Sequence, residues 1–183
     1  MIIFLAGLPG AGKSTIARGL RDSLKATVLN KDEVRVALFP GSATTYSEEQ
    51  DDFCVKVMME TVAFLLGRDA DRLVIFDGRT FTRRTHVEVV RDAAEAIAAP
   101  HTFIECVCSV ETALTRLEQD RRDRTHLARN REPALYWELK RRAEPLAVPR
   151  LVVSTDIRLS TTLWHCQRYL ASLGCSTRSG EQG

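Results

Sequence analysis

The sequence has almost no net charge: 26 basic residues against 24 acidic ones leave +2 over 183 residues. That excludes a global polycation built for nucleic acid or a membrane surface, so any basic surface must be local. There is no apolar run long enough to span a bilayer. No basic leader precedes the apolar segment at the N-terminus, so no signal peptide is expected. The cysteines are five, at 54, 106, 108, 166 and 175, and form no paired framework. An odd count suits a reducing compartment, hence a cytoplasmic protein with mostly buried thiols. Cys106 and Cys108 are spaced to share one face of a strand, but two ligands do not make a metal site. No internal repeat is present. Apolar content of 44% and charged content of 27% are ordinary for a globular chain, and the length suits one domain.

What is present begins at residue 7. Gly7-Leu8-Pro9-Gly10-Ala11-Gly12-Lys13-Ser14 fits G-x-x-x-x-G-K-[ST], a phosphate-cradling loop. Ile2 to Ala6 before it reads as a buried parallel strand. Ile16, Ala17, Leu20 and Leu24 after it repeat at helical spacing, so the loop joins a strand end to a helix N-terminus. Backbone N–H groups and the helix's partial positive charge then face one anion. The pattern predicts ATP held by residues 7–14 with Thr15. Lys13 would reach the β- and γ-phosphates, and the Ser14 hydroxyl would take a Mg²⁺ position.

Strand and helix signals alternate along the rest of the chain. Strands are expected at 27–29, 72–77, 102–108 and 151–153. Helices are expected from the Asp32-Glu33 acidic start to Leu38, from the Ser47/Gln50 capping-box pattern to about Leu66, and over 82–98. Further helices are expected after Ser109, from Pro133 to about Ala143, and up to Gly174. The segment from Arg116 to Arg131 is read differently: six arginines stand against three acids with little apolar periodicity, as in a mobile surface segment. The fold class is therefore α/β, a five-stranded parallel sheet with helices on both faces, forming one domain over 1–173 with a disordered tail over 174–183.

In such sheets ligands gather at the carboxyl ends of the strands, and two further motifs fall there. Asp32 and Arg35 share one face at the start of the second helix. The carboxylate would orient an acceptor hydroxyl and take its proton, and Arg35 would grip a polar or anionic part of the acceptor. The competing reading is a surface ion pair. Asp77 ends an apolar strand where nucleotide-binding proteins hold Mg²⁺ or its water. Gly78 permits close approach to the backbone, and Arg79, with Arg83 as a weaker candidate, is placed for the acceptor. Arg121, Arg122 and Arg124 have the composition of a lid, over about 116–133, that closes on the transferred phosphoryl group; the competing reading is an ordinary charged helix laced with Asp120 and Asp123.

With these residues in view, the chain resembles the P-loop kinase branch that holds adenylylsulfate kinases, polynucleotide 5′-kinases, gluconate kinases and zeta-toxin-like kinases. Gly7 to Ala17 is similar to the adenylylsulfate kinase loop, and Asp32-Glu33-Val34-Arg35 to the D-x-x-R motif shared with polynucleotide kinases. The resemblance implies an acceptor-activating Asp32, an acceptor-anchoring Arg35 and lid residues among Arg121 to Arg124. Asp77-Gly78-Arg79-Thr80-Phe81 replaces the serine-proline-arginine signature of adenylylsulfate kinases, which speaks for another acceptor. The expectation is a kinase using ATP and Mg²⁺ on a hydroxyl of a small polar or anionic metabolite. A polynucleotide 5′-kinase and a slow nucleotide-dependent switch are the alternatives. Membrane partners are not expected, and nothing in the sequence indicates oligomeric state.

Overall fold

In the computed structural model, residues 1–123 and 133–175 are described. Five strands, β1 (Ile2–Ala6), β2 (Thr27–Asn30), β3 (Val74–Asp77), β4 (His101–Val107) and β5 (Arg150–Ser154), form one sheet in the order β2-β3-β1-β4-β5. Every neighbouring pair is parallel. Seven α-helices connect and cover the strands: α1 (Lys13–Leu24), α2 (Lys31–Leu38), α3 (Glu48–Arg68), α4 (Arg84–Ala96), α5 (Val110–Asp123), α6 (Pro133–Arg142) and α7 (Leu159–Ser172). Among the described residues no helix is long and apolar enough to cross a membrane.

The alternation of side chains along β1 divides the core in two. Ile2, Phe4 and Ala6 face the α3 and α4 side, where they join Val55, Met58, Val62, Phe76, Val90 and Phe103. Ile3 and Leu5 face the α1 and α7 side with Ile16, Leu20, Ile75, Ile104, Cys166 and Leu170. All five β1 residues are buried, which is why the segment is continuously apolar rather than alternating. Phe4 lies at the centre of an aromatic cluster, stacked on Phe103 at 4.9 Å and tilted against Phe76 at 5.4 Å. Fixing these rings fixes the register of the central strand, whose end carries the glycine-rich loop.

Boundaries follow local chemistry. Asn30 caps α2, its Oδ1 accepting from the N–H of Asp32 at 2.9 Å and of Glu33 at 3.2 Å. Only half of the expected capping box forms at α3. Ser47 Oγ accepts from the Gln50 N–H at 3.2 Å, but the buried Gln50 amide turns to the preceding loop. There its Oε1 accepts from Thr45 and Tyr46, and its Nε2 donates to the Ala43 carbonyl. The segment 40–46 contains a 3-10 turn at Gly41–Ala43.

The reading of residues from Arg116 as a mobile surface segment is corrected. Arg116 to Asp123 continue α5: Leu117 is fully buried beside Ala113 and Tyr136, and the charged residues 118–123 extend the helix that starts at Val110. The remainder of the expected lid, residues 124–132 including Arg124, lies outside the described residues, as does the tail from 176.

Candidate active site

The loop between β1 and α1 is held from both flanks. On the β3 side the Gly7 N–H donates to the Thr80 carbonyl at 3.2 Å. On the β5 side Arg116 donates to the Gly10 carbonyl at 3.1 Å, to Thr155 Oγ1 at 3.0 Å and to the Thr155 carbonyl at 2.8 Å. Thr155 Oγ1 in turn donates to the Ala11 carbonyl at 3.1 Å. A trans peptide sets its C=O and the next N–H on opposite sides, so holding the Ala11 carbonyl on Thr155 turns the Gly12 N–H the other way. Gly7 has φ +133, and a Cβ there would collide with the Cys106 carbonyl of β4, so only glycine lets the loop leave the sheet at this point.

Gly12 precedes α1 and no side chain caps the helix, which leaves its first N–H groups for a ligand. Lys13 is 4% exposed and folds back, its Nζ donating to the Gly7 carbonyl at 2.7 Å and the Leu8 carbonyl at 3.0 Å. Ser14 is half-buried and Thr15 exposed in the same first turn. This arrangement can bind an anion at the loop, with the Lys13 ammonium beside it.

At the end of β3, Asp77 is fully buried. Its Oδ2 accepts from Asn30 Nδ2 at 2.8 Å, and its Oδ1 has no partner. A buried carboxylate oxygen with nothing to accept is costly unless a cation meets it. Asp77 with the Ser14 hydroxyl therefore fits a hard divalent ion such as Mg²⁺ in donor chemistry. Asn30 caps α2 and holds Asp77 at once, so the strand ends of β2 and β3 are joined by one side chain. Gly78 completes that junction: with φ +109, a Cβ there would lie 2.7 Å from Lys31 Cβ.

Beyond Asp77 lies a layer of cations matched to acids from the first turns of α3. Arg35 is 2% exposed and donates Nη1 to Asp32 Oδ1 at 2.6 Å and Nη2 to Asp51 Oδ1, while its guanidinium lies 5.2 Å from the Tyr46 ring. The surface ion pair considered from sequence is thereby replaced by a buried one. Lys31 also donates to Asp51. Burial pushes the Lys31 amine down to about 7 although Asp32 pulls it up, and the Arg35 and Arg79 charges add to the lowering. Arg79, 5% exposed, donates to Asp52 Oδ1 at 2.7 Å, and the half-exposed Arg83 pairs with Glu48. His86 behind them is pushed down to about 4, first by burial and then by Arg79 and Arg83.

The loops after β1, β2 and β3 thus bring Lys13, Asp32, Arg35, Asp77 and Arg79 to one end of the sheet, with Arg83 at its rim. Arg121 and Arg122 stand apart on the exposed last turn of α5, where Arg122 approaches Glu118 at 3.6 Å. Several contributors were not singled out in the sequence. Asn30 had a signal, an N-cap residue before two acids. Asp51 and Asp52 carry no signal beyond being acids near a helix start, and Arg116 and Thr155 meet the loop across 106 and 144 residues of chain.

The architecture is the P-loop NTPase fold, in the form found in the P-loop kinases that the sequence resembles. A putative kinase from Chloroflexus aurantiacus superposes with a TM-score of 0.72 at 20% identity, covering 91% of this chain and 96% of that one. The Mycobacterium tuberculosis APS kinase in complex with AMPPNP and APS gives 0.71 at 16%, covering 93% and 96%. A gluconokinase from Sinorhizobium meliloti gives 0.67 at 14%, covering 93% and 91%. At these identities the likeness shows the fold alone. No curated protein matches the chain significantly in sequence. The model of the AAA_33 family, described as an AAA domain, matches residues 2–145, and the chain belongs to that family.

Proposed function

We propose that this protein is a cytoplasmic kinase that uses ATP and Mg²⁺ to phosphorylate a hydroxyl of a small polar or anionic metabolite. One observation carries the reading. Asp32 is buried, held by Arg35 and by the Asn30 cap, and set beside the strand end that bears Asp77. A switch or a bare hydrolase needs the phosphate loop and Asp77 but has no use for a second buried carboxylate fixed in this way. Kinases among the structural neighbours support the same reading.

In this reading the N–H groups of the loop and Lys13 bind the β- and γ-phosphates. Ser14 and Asp77 hold Mg²⁺, which when bound neutralises phosphate charge. The acceptor oxygen attacks the γ-phosphorus, forming one P–O bond as the bond to the bridging oxygen breaks, and ADP leaves with that electron pair. Asp32 orients the hydroxyl and receives its proton late, because the transition state is loose and the nucleophile needs positioning more than deprotonation. Arg35 holds Asp32 in place. Arg121, Arg122 and Arg124 are the candidates for charge stabilisation on closure.

The test is a screen of γ-phosphate transfer over nucleosides, sugars, amino acids and oligonucleotides, with mass detection of the product. Asp32→Asn is expected to abolish transfer while ATP affinity stays within about threefold, since this carboxylate meets the acceptor and not the nucleotide. Brisk ATP hydrolysis with no phosphorylated acceptor, or full transfer by Asp32→Asn, would overturn the proposal.

A further inference from the structure

Arg79 is a buried cation of the layer with two of its three side-chain nitrogens unpartnered, where Arg35 has one, Nε. It is 5% exposed, and only Nη2 has a partner, Asp52 Oδ1 at 2.7 Å; Nε and Nη1 are buried without one. Arg35, by contrast, has both Nη1 and Nη2 on acids. Buried guanidinium N–H groups without acceptors are unfavourable, and a fold keeps them where a ligand supplies the acceptor. Arg79 also lies one residue from Thr80, whose carbonyl binds Gly7 of the phosphate loop. Its backbone is therefore tied to the phosphate loop.

The geometry of the fork says what the ligand is. A guanidinium offers two edges to an oxyanion at this site, Nη1 with Nη2 and Nε with Nη2, and Nη2 carries one hydrogen on each. Asp52 Oδ1 takes one of those hydrogens. The other edge stays complete, so an oxyanion there gains two bonds, from Nη2 and from an unpartnered donor, while the nearby Asp52 charge opposes it.

We propose that Arg79 seats an oxyanion carried by the acceptor, a carboxylate or a phosphate, on the edge that Asp52 leaves open. The proposal rests on the kinase reading and narrows it: the acceptor is an anionic hydroxyl compound, gripped at Arg79 while its hydroxyl meets Asp32. Asp52 holds the guanidinium from the opposite edge, and its charge limits how tightly the anion is held.

The experiment is calorimetric titration of inorganic phosphate, and separately acetate, into the full chain saturated with Mg²⁺ and a non-hydrolysable ATP analogue, which fills the phosphate loop. One of the two anions is expected to bind, and which one separates a phosphate-bearing from a carboxylate-bearing acceptor. Asp52→Asn, which removes a like charge beside the anion and keeps an amide oxygen to accept from Nη2, is expected to tighten that anion by up to roughly fivefold. Arg79→Gln is expected to weaken it by roughly tenfold or more, and the contrast with the wild type reads the site with or without nucleotide. Binding of neither anion, unchanged affinity in Arg79→Gln, or no tightening in Asp52→Asn would overturn the proposal. Anion binding needs no transfer, so the two readings fail separately. Arg79-dependent binding with an empty transfer screen removes the kinase and keeps the anion site. Phosphorylation of uncharged acceptors alone keeps the kinase and removes the anion site.

Discussion

Replacing Arg35 by methionine tests whether the Asp32–Arg35 pair is part of the folded interior. Arg35 is 2% exposed and the Asp32 side chain 8%, while Asp51, the second partner, is 33% exposed and keeps Lys31. Removing the guanidinium therefore strands Asp32 far more than Asp51. A buried charge left without its partner costs about 3–5 kcal/mol. For a domain of this size that corresponds to a fall of about 10 °C in melting temperature. Adding Asp32→Asn to Arg35→Met removes the stranded charge and is expected to recover more than half of the loss. Urea denaturation followed by circular dichroism reads all the variants of the cycle. A loss within about 0.5 kcal/mol for Arg35→Met, the value of a surface pair, would refute the reasoning. A double variant no more stable than Arg35→Met would refute it as well.

Two further outcomes follow from the junctions around the site. Gly78→Ala is expected to destabilise by about 2 kcal/mol, since alanine is strained at φ +109 and its Cβ would lie 2.7 Å from Lys31 Cβ; a thermal melt matching the wild type would count against the close approach of the β3 and α2 ends. His86 is held down to about 4 from an ordinary 6.5, so between those values the unfolded chain binds the proton and the folded one does not. Stability is expected to fall as pH drops from 6.5 to 4 and, as far as this group is concerned, to level off below. Melting temperatures at pH 7, 5 and 4 should show a shallower fall in His86→Gln, and equal slopes would contradict the assignment.

Much of the fold was legible because its signals are local. The apolar run Ile2–Ala6, the glycine-rich octapeptide and the helical repeat of Ile16, Leu20 and Leu24 lie within one short stretch, and each is a contact of the chain with its own neighbours or a generic core. Strand boundaries were less legible. The Arg72–Asp77 segment becomes a strand only from Val74, where β1 and β2 offer partners on both sides. The start of the arginine-rich segment misled because residues 118–123 carry no apolar side chain and so show no period beyond Leu117, whose burial depends on Tyr136 from another helix.

At the site, Asp32, Arg35, Asp77 and Arg79 could be nominated because strand ends are where a parallel α/β sheet collects its ligands. Their partners could not. Asp51 and Asp52 reach Arg35 and Arg79 across 16 and 27 residues of chain, and nothing in the acid-rich start of α3 marks which acid will meet which arginine.

The sequence by itself determined the phosphate loop, the parallel α/β class and the residue types at the strand ends, because short-range geometry and burial periodicity are written in neighbouring residues. Tertiary structure alone decided that Arg35 is a buried strut committed to two acids, that Arg116 and Thr155 hold the loop, and that Arg79 keeps two donors unspent. Pairing of charges is a matter of distance and desolvation, and both are set only when separate segments of the chain pack together.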